Sequence, residues 1–310
     1  MKGIHIVNRI ATFYFTAYQK NVERIMLRPI DCQKQCFEHL MKHAAKTVWG
    51  KKYDYRTIKQ YDTFRKRIPV NDYNTLYPYI ERMIMGEKDV LWKGKTVWFS
   101  KSSGTSGSKS KYIPVSRESL IQCNFKGGRD TFALYLNNRP KSKMFTGKCL
   151  SLSGSWRSFD MNTHAYCGDV SAILLNFIPR WGHLFRTPSK SIALMNDWNE
   201  KVEAFAQYTR KQNVTSLAGV PSWILVIIRR ILELEKAENL LDVWQNMELF
   251  MHGGVNFMPY INQYKMLIPH QEMYYQQVYN ASEGYFAAQD LADADDMLLF
   301  LDNGVFYEFI

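Results

Sequence analysis

Cysteine is scarce in this chain of 310 residues. There are five, Cys32, Cys36, Cys123, Cys149 and Cys167, an odd number at irregular spacings. That pattern argues against a disulfide framework and suits reduced thiols in a cytoplasm. Long apolar runs are missing too: the uncharged stretch Ile10 to Gln19 is too short to span a bilayer, and no small-residue cleavage site accompanies it. An amphipathic packing helix is expected there, in a protein without a membrane anchor. Neither internal repeats nor low-complexity segments occur, and helix-turn-helix, zinc-finger and RNA-binding aromatic signatures are absent. The net charge of +11 therefore reads as solvated helix faces, because lysines and arginines alternate with acids along most of the chain. Nucleic acid is not an expected partner. Cys32, Cys36, His39 and His43 imitate a zinc spacing, yet they share one expected helix and spread over about 16 Å, too far to converge on one ion. That helix, Cys32 to Thr47, should turn Phe37 and Leu40 inward. Ser153-Gly154-Ser155 lacks the glycines of a hydrolase elbow.

One absence is local and more telling. From Val90 to Arg117 there is no Asp or Glu, while six Lys or Arg occur. A field of one sign favours a polyanion. Inside this stretch lies Ser102-Ser103-Gly104-Thr105-Ser106-Gly107-Ser108-Lys109-Ser110-Lys111. Glycines let backbone N–H groups point into a concavity, hydroxyls add donors, and lysine neutralises charge removed from water. A Gly/Ser linker would lack the apolar β-type runs that flank this loop, Thr96 to Phe99 and Tyr112 to Val115. A Walker A loop needs Gly-Lys-Ser/Thr five residues after its first glycine and a helix directly behind. Here Lys109 stands in that place, and Pro114 belongs to a second strand, so the expectation is a strand-loop-strand phosphate cradle. A helix should begin near Ser116.

Farther along, the pattern predicts a strand over Asn213 to Gly219, a helix over Pro221 to Lys236, a strand over Met247 to Met251, a helix over Phe257 to Leu267 and a strand over Glu272 to Tyr279. In such a parallel βαβαβ series the ligand crevice lies beyond the carboxyl ends of the strands. His252-Gly253-Gly254 and Tyr279-Asn280-Ala281-Ser282-Glu283-Gly284 fall there. An aromatic ring, a hydroxyl and a carboxylate so placed can stack on a base, bond a phosphate oxygen and hold Mg²⁺.

The loop with its Lys-x-x-Pro end, followed by Tyr-x-x-Ser-Glu, resembles the adenylate-forming enzymes, which activate a carboxylic acid with ATP. Nearly the whole chain is similar to one branch, the Gretchen Hagen family of auxin-responsive acyl-acid-amido synthetases and their bacterial relatives. Supporting pieces are Thr47 to Lys51, Ile68 to Tyr73, Gly86 to Trp92, Gly168-Asp169-Val170-Ser171, Gly219-Val220-Pro221, His252 to Phe257 with Pro259-Tyr260, and Phe306 to Ile310. The resemblance implies an α/β fold of mixed and parallel sheets flanked by helices. It implies that Ser102, Ser103, Thr105 and Ser106, with Gly104 and Gly107, grip the β- and γ-phosphates of ATP while Lys111 offsets their charge. Tyr279 would lie on the adenine, Gly253 and Gly254 would line its pocket, Ser282 would reach the α-phosphate, and Glu283 would coordinate Mg²⁺. His252 is expected to serve structure beside that pocket.

Family members continue past Phe-x-Glu-Phe-Ile to a ribose-binding Asp and a mobile C-terminal domain bearing a lysine. Residues 1–310 are thus expected to be an N-terminal adenylation domain, incomplete at its C-terminal end, of a cytoplasmic, bacterial member of the family. Leu298 to Ile310 should form a hairpin turning at Asp302-Asn303-Gly304. The implied reaction joins a small carboxylic acid, through an acyl-adenylate, to an amino acid. Transfer to coenzyme A and a non-catalytic nucleotide-binding fragment are the alternatives.

Overall fold

Helices fill the first part of the chain: α1 (Lys2–Thr16), α2 (Gln19–Leu27), α3 (Pro29–Ala44), α4 (Val48–Lys52), α5 (Tyr61–Arg67) and α6 (Tyr73–Ile84). Their starts reflect local chemistry. Thr47 and Asp72 accept the backbone N–H of Gly50 and Thr75 at 2.9 and 2.8 Å and cap α4 and α6. Pro29 opens α3, where its missing N–H costs nothing. Then come β1 (Trp98–Ser102), β2 (Lys111–Val115), a π-helical stretch at Ser119–Phe125 and α7 (Lys126–Asn138). The remainder alternates: β3 (Lys148–Ser151), β4 (Trp156–Ser158), β5 (Tyr166–Gly168), α8 (Val170–Phe177), β6 (Arg186–Thr187), α9 (Lys190–Ala193), α10 (Trp198–Thr209), β7 (Val214–Gly219), α11 (Pro221–Glu235), β8 (Leu249–His252), α12 (Ile261–Leu267), β9 (Tyr274–Ala281), β10 (Gly284–Ala288) and β11 (Leu298–Leu299). This computed structural model describes residues 2–102, 110–292 and 294–309. No helix among them is long and apolar enough to cross a membrane.

A seven-stranded sheet has the order β11-β10-β9-β8-β7-β3-β6, parallel from β6 to β9 and antiparallel from β9 to β11. A four-stranded sheet, β2-β1-β5-β4, is mixed. The expected βαβαβ series is present as β7-α11-β8-α12-β9. Strand periodicity explains why helices cover both faces of the large sheet. On β8, Phe250 faces the cluster of Ile224, Ile227, Ile228 and Ile231 from α11, whereas its neighbour Leu249 packs with Phe15 of α1 and Tyr135 and Leu136 of α7. α11 is rich in β-branched residues and is helical because packing overrides propensity. Removing one such isoleucine to alanine costs about 2–5 kcal/mol. At the N-terminus, α1 buries Phe15 but leaves Ile6, Ile10 and Phe13 exposed, so only a narrow stripe of this helix packs.

The expected terminal hairpin does not form. Leu298–Leu299 pairs with β10, the chain turns at residues 301–304, and the residues after the turn have no strand partner. Instead Gln33 of α3 takes the place of a strand: its Nε2 donates to Leu301 O and Val305 O at 2.8 and 2.9 Å, and its Oε1 accepts from Tyr307 N at 2.8 Å. The turn is also pinned by charge. Lys126 Nζ lies 2.7 Å from Asp130 Oδ2 and 2.5 Å from Asp302 Oδ1, and Arg24 holds the other oxygen of Asp302 at 2.5 Å. Burial pushes the Asp130 carboxyl up, and Lys126 opposes that shift. Lys126→Met leaves two largely buried carboxylates facing each other across an apolar side chain. A cost of about 3 kcal/mol is expected, seen as a fall in Tm on the order of 5–10 °C. A melt within a degree of the parent would show that the pair contributes no net stability.

Candidate active site

The parallel strands all end on one side of the sheet, and three of these ends run into small residues: Ser153-Gly154-Ser155 after β3, Gly219-Val220-Pro221 at β7, Gly253-Gly254 after β8. Small residues leave a crevice where α/β sheets bind ligands. At Gly253 the glycine is required, since a Cβ would sit 2.4 Å from Val278 O of β9. Gly254 turns the chain away at φ +82.

β9 outruns its neighbour. Its last partner on β8 is His252, opposite Gln277, and beyond that point it pairs with β10 alone. Tyr279 is therefore inside a strand that runs to Ala281, two residues farther than the sequence pattern suggests, because the antiparallel partner β10 carries the pairing on. Ser282 and Glu283 form the hairpin turn between Ala281 and Gly284. The Tyr279 ring leans on Phe286 at 5.1 Å and is 52% exposed, which leaves a face for a base. Glu283 is exposed at the tip.

This turn touches the other motif. Ser282 Oγ donates to Lys101 O at 3.3 Å, one residue before Ser102. Ser102 ends β1 opposite Lys111, the first residue of β2. Lys111 Nζ stands 5.6 Å from the centre of the Tyr73 ring, and Tyr73 is itself fixed by accepting the Tyr112 N–H at 2.8 Å. Ser103, Gly104, Thr105, Ser106 and Gly107 lie outside the described residues. The structure thus brings Ser102, Lys111, Ser282, Glu283, Tyr279, Gly253 and Gly254 to one region.

Two groups escaped sequence reasoning. Lys201 of α10 is buried, and its Nζ donates to Ser153 O at 2.6 Å and Gly154 O at 3.2 Å. Asp169 accepts from Ser155 N at 3.1 Å, and a Cβ on Gly154 would collide with its carboxylate. Together they fix the wall after β3. Burial lowers the Lys201 pKa, with Asp169 opposing. The Gly168 to Ser171 piece marked the neighbourhood of Asp169, but Lys201 sits between Glu200 and Glu203 and reads as a solvated helix residue. Cys32 and Cys36 are buried in α3, while His39 stacks on His43 at 3.9 Å and meets Glu118.

A model of the GH3 family N-terminal domain matches residues 18–273. The chain belongs to the GH3 family. Among curated relatives, indole-3-acetic acid-amido synthetase GH3.5 of Arabidopsis thaliana is 28% identical over 118 residues, covering 36% of this chain and 19% of that protein. The 4-substituted benzoates-glutamate ligase GH3.12 of the same plant is 25% identical over 111 residues, 35% of this chain and 19% of that protein. The solved GH3.15 acyl acid amido synthetase shares the fold with a TM-score of 0.71 at 15% identity, over 93% of this chain and 60% of that one. This GH3 chain corresponds to a little over half of the solved relative's length.

His252 of the GH3 chain is 2% exposed and stacks on Phe257 at 3.9 Å. Its Nδ1 has no hydrogen-bond partner among the described residues. Burial lowers its pKa from 6.5 to about 4. A buried neutral imidazole takes up its proton in the unfolded state first, so stability is complete above pH 6.5 and falls as pH drops toward 4. The loss amounts to about 3 kcal/mol. Urea titrations at pH 7.5 and pH 5 should show about 2 kcal/mol of this drop in the parent and a smaller drop in His252→Gln. Equal drops in both would assign the acid sensitivity elsewhere.

Proposed function

We propose that residues 1–310 form the nucleotide-binding part of an adenylation domain, which activates a carboxylic acid with ATP to an acyl-adenylate that an amino acid then converts to an amide. The observation that carries this reading is the contact of the Ser282 turn with β1 beside the phosphate loop, since it joins a base-stacking ring to a cationic cradle across one crevice. The curated relatives supply the reaction class. Two of them differ in the acid they act on, so the acid itself stays open.

In-line attack of a carboxylate on the α-phosphorus needs no protein nucleophile. It needs positioning and charge neutralisation. Tyr279 stacks on the adenine, and the backbone of Gly253 and Gly254 lies along its edge, where a side chain would fill the space. Ser282 exchanges its contact with Lys101 O for an α-phosphate oxygen. Ser102 and the loop residues through Gly107 bind the β- and γ-phosphates, and Lys111 offsets their charge. Glu283 is a hard anionic donor suited to Mg²⁺, with phosphate oxygens and water completing the shell. Among the described residues no cluster of three or more acidic, histidine or cysteine side chains gathers to hold an ion alone.

Tyr279→Ala should weaken ATP and AMP alike by about 5- to 100-fold, since stacking one base on an aromatic ring is worth about 1–3 kcal/mol. Glu283→Gln should weaken Mg²⁺·ATP more than metal-free AMP, because it keeps size and removes the anionic ligand. Calorimetry with each ligand, paired with a melting curve, measures both. If Tyr279→Ala left ATP affinity untouched in a folded protein, the crevice would not be the nucleotide site.

A further inference from the structure

A second cationic site lies beside β3 and the edge strand β6. A cavity of about 400 Å³ there is lined by Lys148, His183, Arg186, Lys190 and Tyr208 among others, and none of its lining residues is acidic. Arg186 is 8% exposed. Its Nε donates to Ser151 Oγ at 3.2 Å and its Nη1 to Pro188 O at 2.8 Å, which fixes the plane of the guanidinium. Nη2 is buried without a hydrogen-bond partner among the described residues. Burial lowers the Arg186 pKa, and no carboxylate is among the groups that oppose this shift. Lys148 Nζ donates to the neutral Gln212 Oε1 at 3.0 Å.

A buried guanidinium is ordinarily matched by an anion, because its charge is costly to remove from water. Among the described residues none is paired with Arg186, and two lysines and a histidine line the same space. The other cavity of comparable size, about 460 Å³ beside Trp92 and Arg117, contains Glu118 as its own carboxylate. We propose that the Arg186 cavity is a binding site for a phosphate dianion, either inorganic phosphate or the phosphate of a small phosphomonoester. Arg186 lines this cavity with Nη2 as its unpartnered nitrogen among the described residues, a charged donor of the kind that holds oxyanions. Lys148 and Lys190 bring the local charge to a level that a dianion satisfies better than a monoanion. Tyr208 closes one wall with a ring and a hydroxyl. None of Gly253, Gly254, Tyr279, Ser282 and Glu283 lines this cavity, although Arg186 reaches Ser151 at the end of β3.

His183 provides a reporter. Burial first, then the cations Arg186 and Lys190, hold it below its ordinary pKa; Lys148 lines the same cavity. A bound dianion reverses part of that effect. Inorganic phosphate is titrated into the chain at constant ionic strength in chloride, with the His183 ring signals read by NMR. Saturable shifts and a raised His183 midpoint are expected. Lys148→Gln and Lys190→Gln should each weaken binding about threefold or more, and Arg186→Gln about tenfold or more. Lys111→Ala, in the nucleotide crevice, should leave the titration unchanged. Glycerol 3-phosphate binding tighter than phosphate identifies an organic monoester as the natural class, and equal affinity identifies free phosphate. No saturable shift, equal affinity in both lysine variants and parent, or malonate binding as tightly as phosphate would overturn the proposal. The lysine variants are decisive even if Arg186→Gln does not fold, because Lys190 is exposed and Lys148 half-buried.

Discussion

The absence of a side chain at Gly253 governs the geometry of the crevice. The end of β8 approaches β9 so closely that any Cβ there would press on Val278 O. Because nothing is there, β8 can end and turn away at Gly254 while β9 continues past it. That overrun carries Tyr279 out beyond the sheet and lets Ser282 reach Lys101 O. A larger residue at 253 must displace β9 or the turn, and either movement separates the stacking ring from the phosphate loop. One close backbone contact thus aligns motifs far apart in the chain.

The hairpin that bears these groups is held rigid from behind. Gly127 of α7 lets the helix lie directly on the Tyr285 ring, where a Cβ would come within 2.6 Å. The Tyr285 hydroxyl meets Thr131 Oγ1 at 2.7 Å, and its N–H donates to Cys123 Sγ at 3.2 Å. Asn303, at the turn pinned by Lys126 and Asp302, donates to Tyr285 O. The ion cluster therefore does more than tie down the end of the chain. It fixes β10, and through β10 the turn that presents Ser282 and Glu283. Groups that would touch ligand stay solvent-facing while their support is buried, the arrangement that keeps a binding constellation in register.

Much of this was legible in the sequence, for identifiable reasons. The βαβαβ series announces itself because β8 opens on a short apolar run, α11 keeps a strict apolar face from Ile224 to Ile231, and Pro221 marks the helix start after Gly219. The stretch Ser102 to Lys111 stood out through local composition, an effect that needs no tertiary knowledge. Where reading failed, the deciding contacts were long-range. Val305 to Phe309 have strand-like composition, but Gln33, some 270 residues earlier in the chain, occupies their hydrogen bonds. Lys201 looks solvated from its neighbours, and only the packing of α10 against β3 makes it a buried support of the crevice wall. Arg186 is in the same position: no local pattern distinguishes an arginine with a carboxylate partner from one without.

The two cationic sites differ in how they hold their charge, and that difference bears on what each can do. Lys111 rests over the exposed side of Tyr73 at 5.6 Å. A cation–π contact at such a surface is worth about 0.5–1 kcal/mol, less than a charge-assisted hydrogen bond to phosphate. The aromatic ring can thus hold the ammonium near the loop without competing strongly with an anionic ligand. Arg186 has no such alternative partner. Its Nε and Nη1 are spent on the sheet edge and its Nη2 is enclosed, so the group cannot swing away when its cavity empties. A mobile ammonium suits a site that must bind and discharge phosphates in each cycle. A fixed guanidinium suits one that keeps its anion for as long as the surrounding fold is intact.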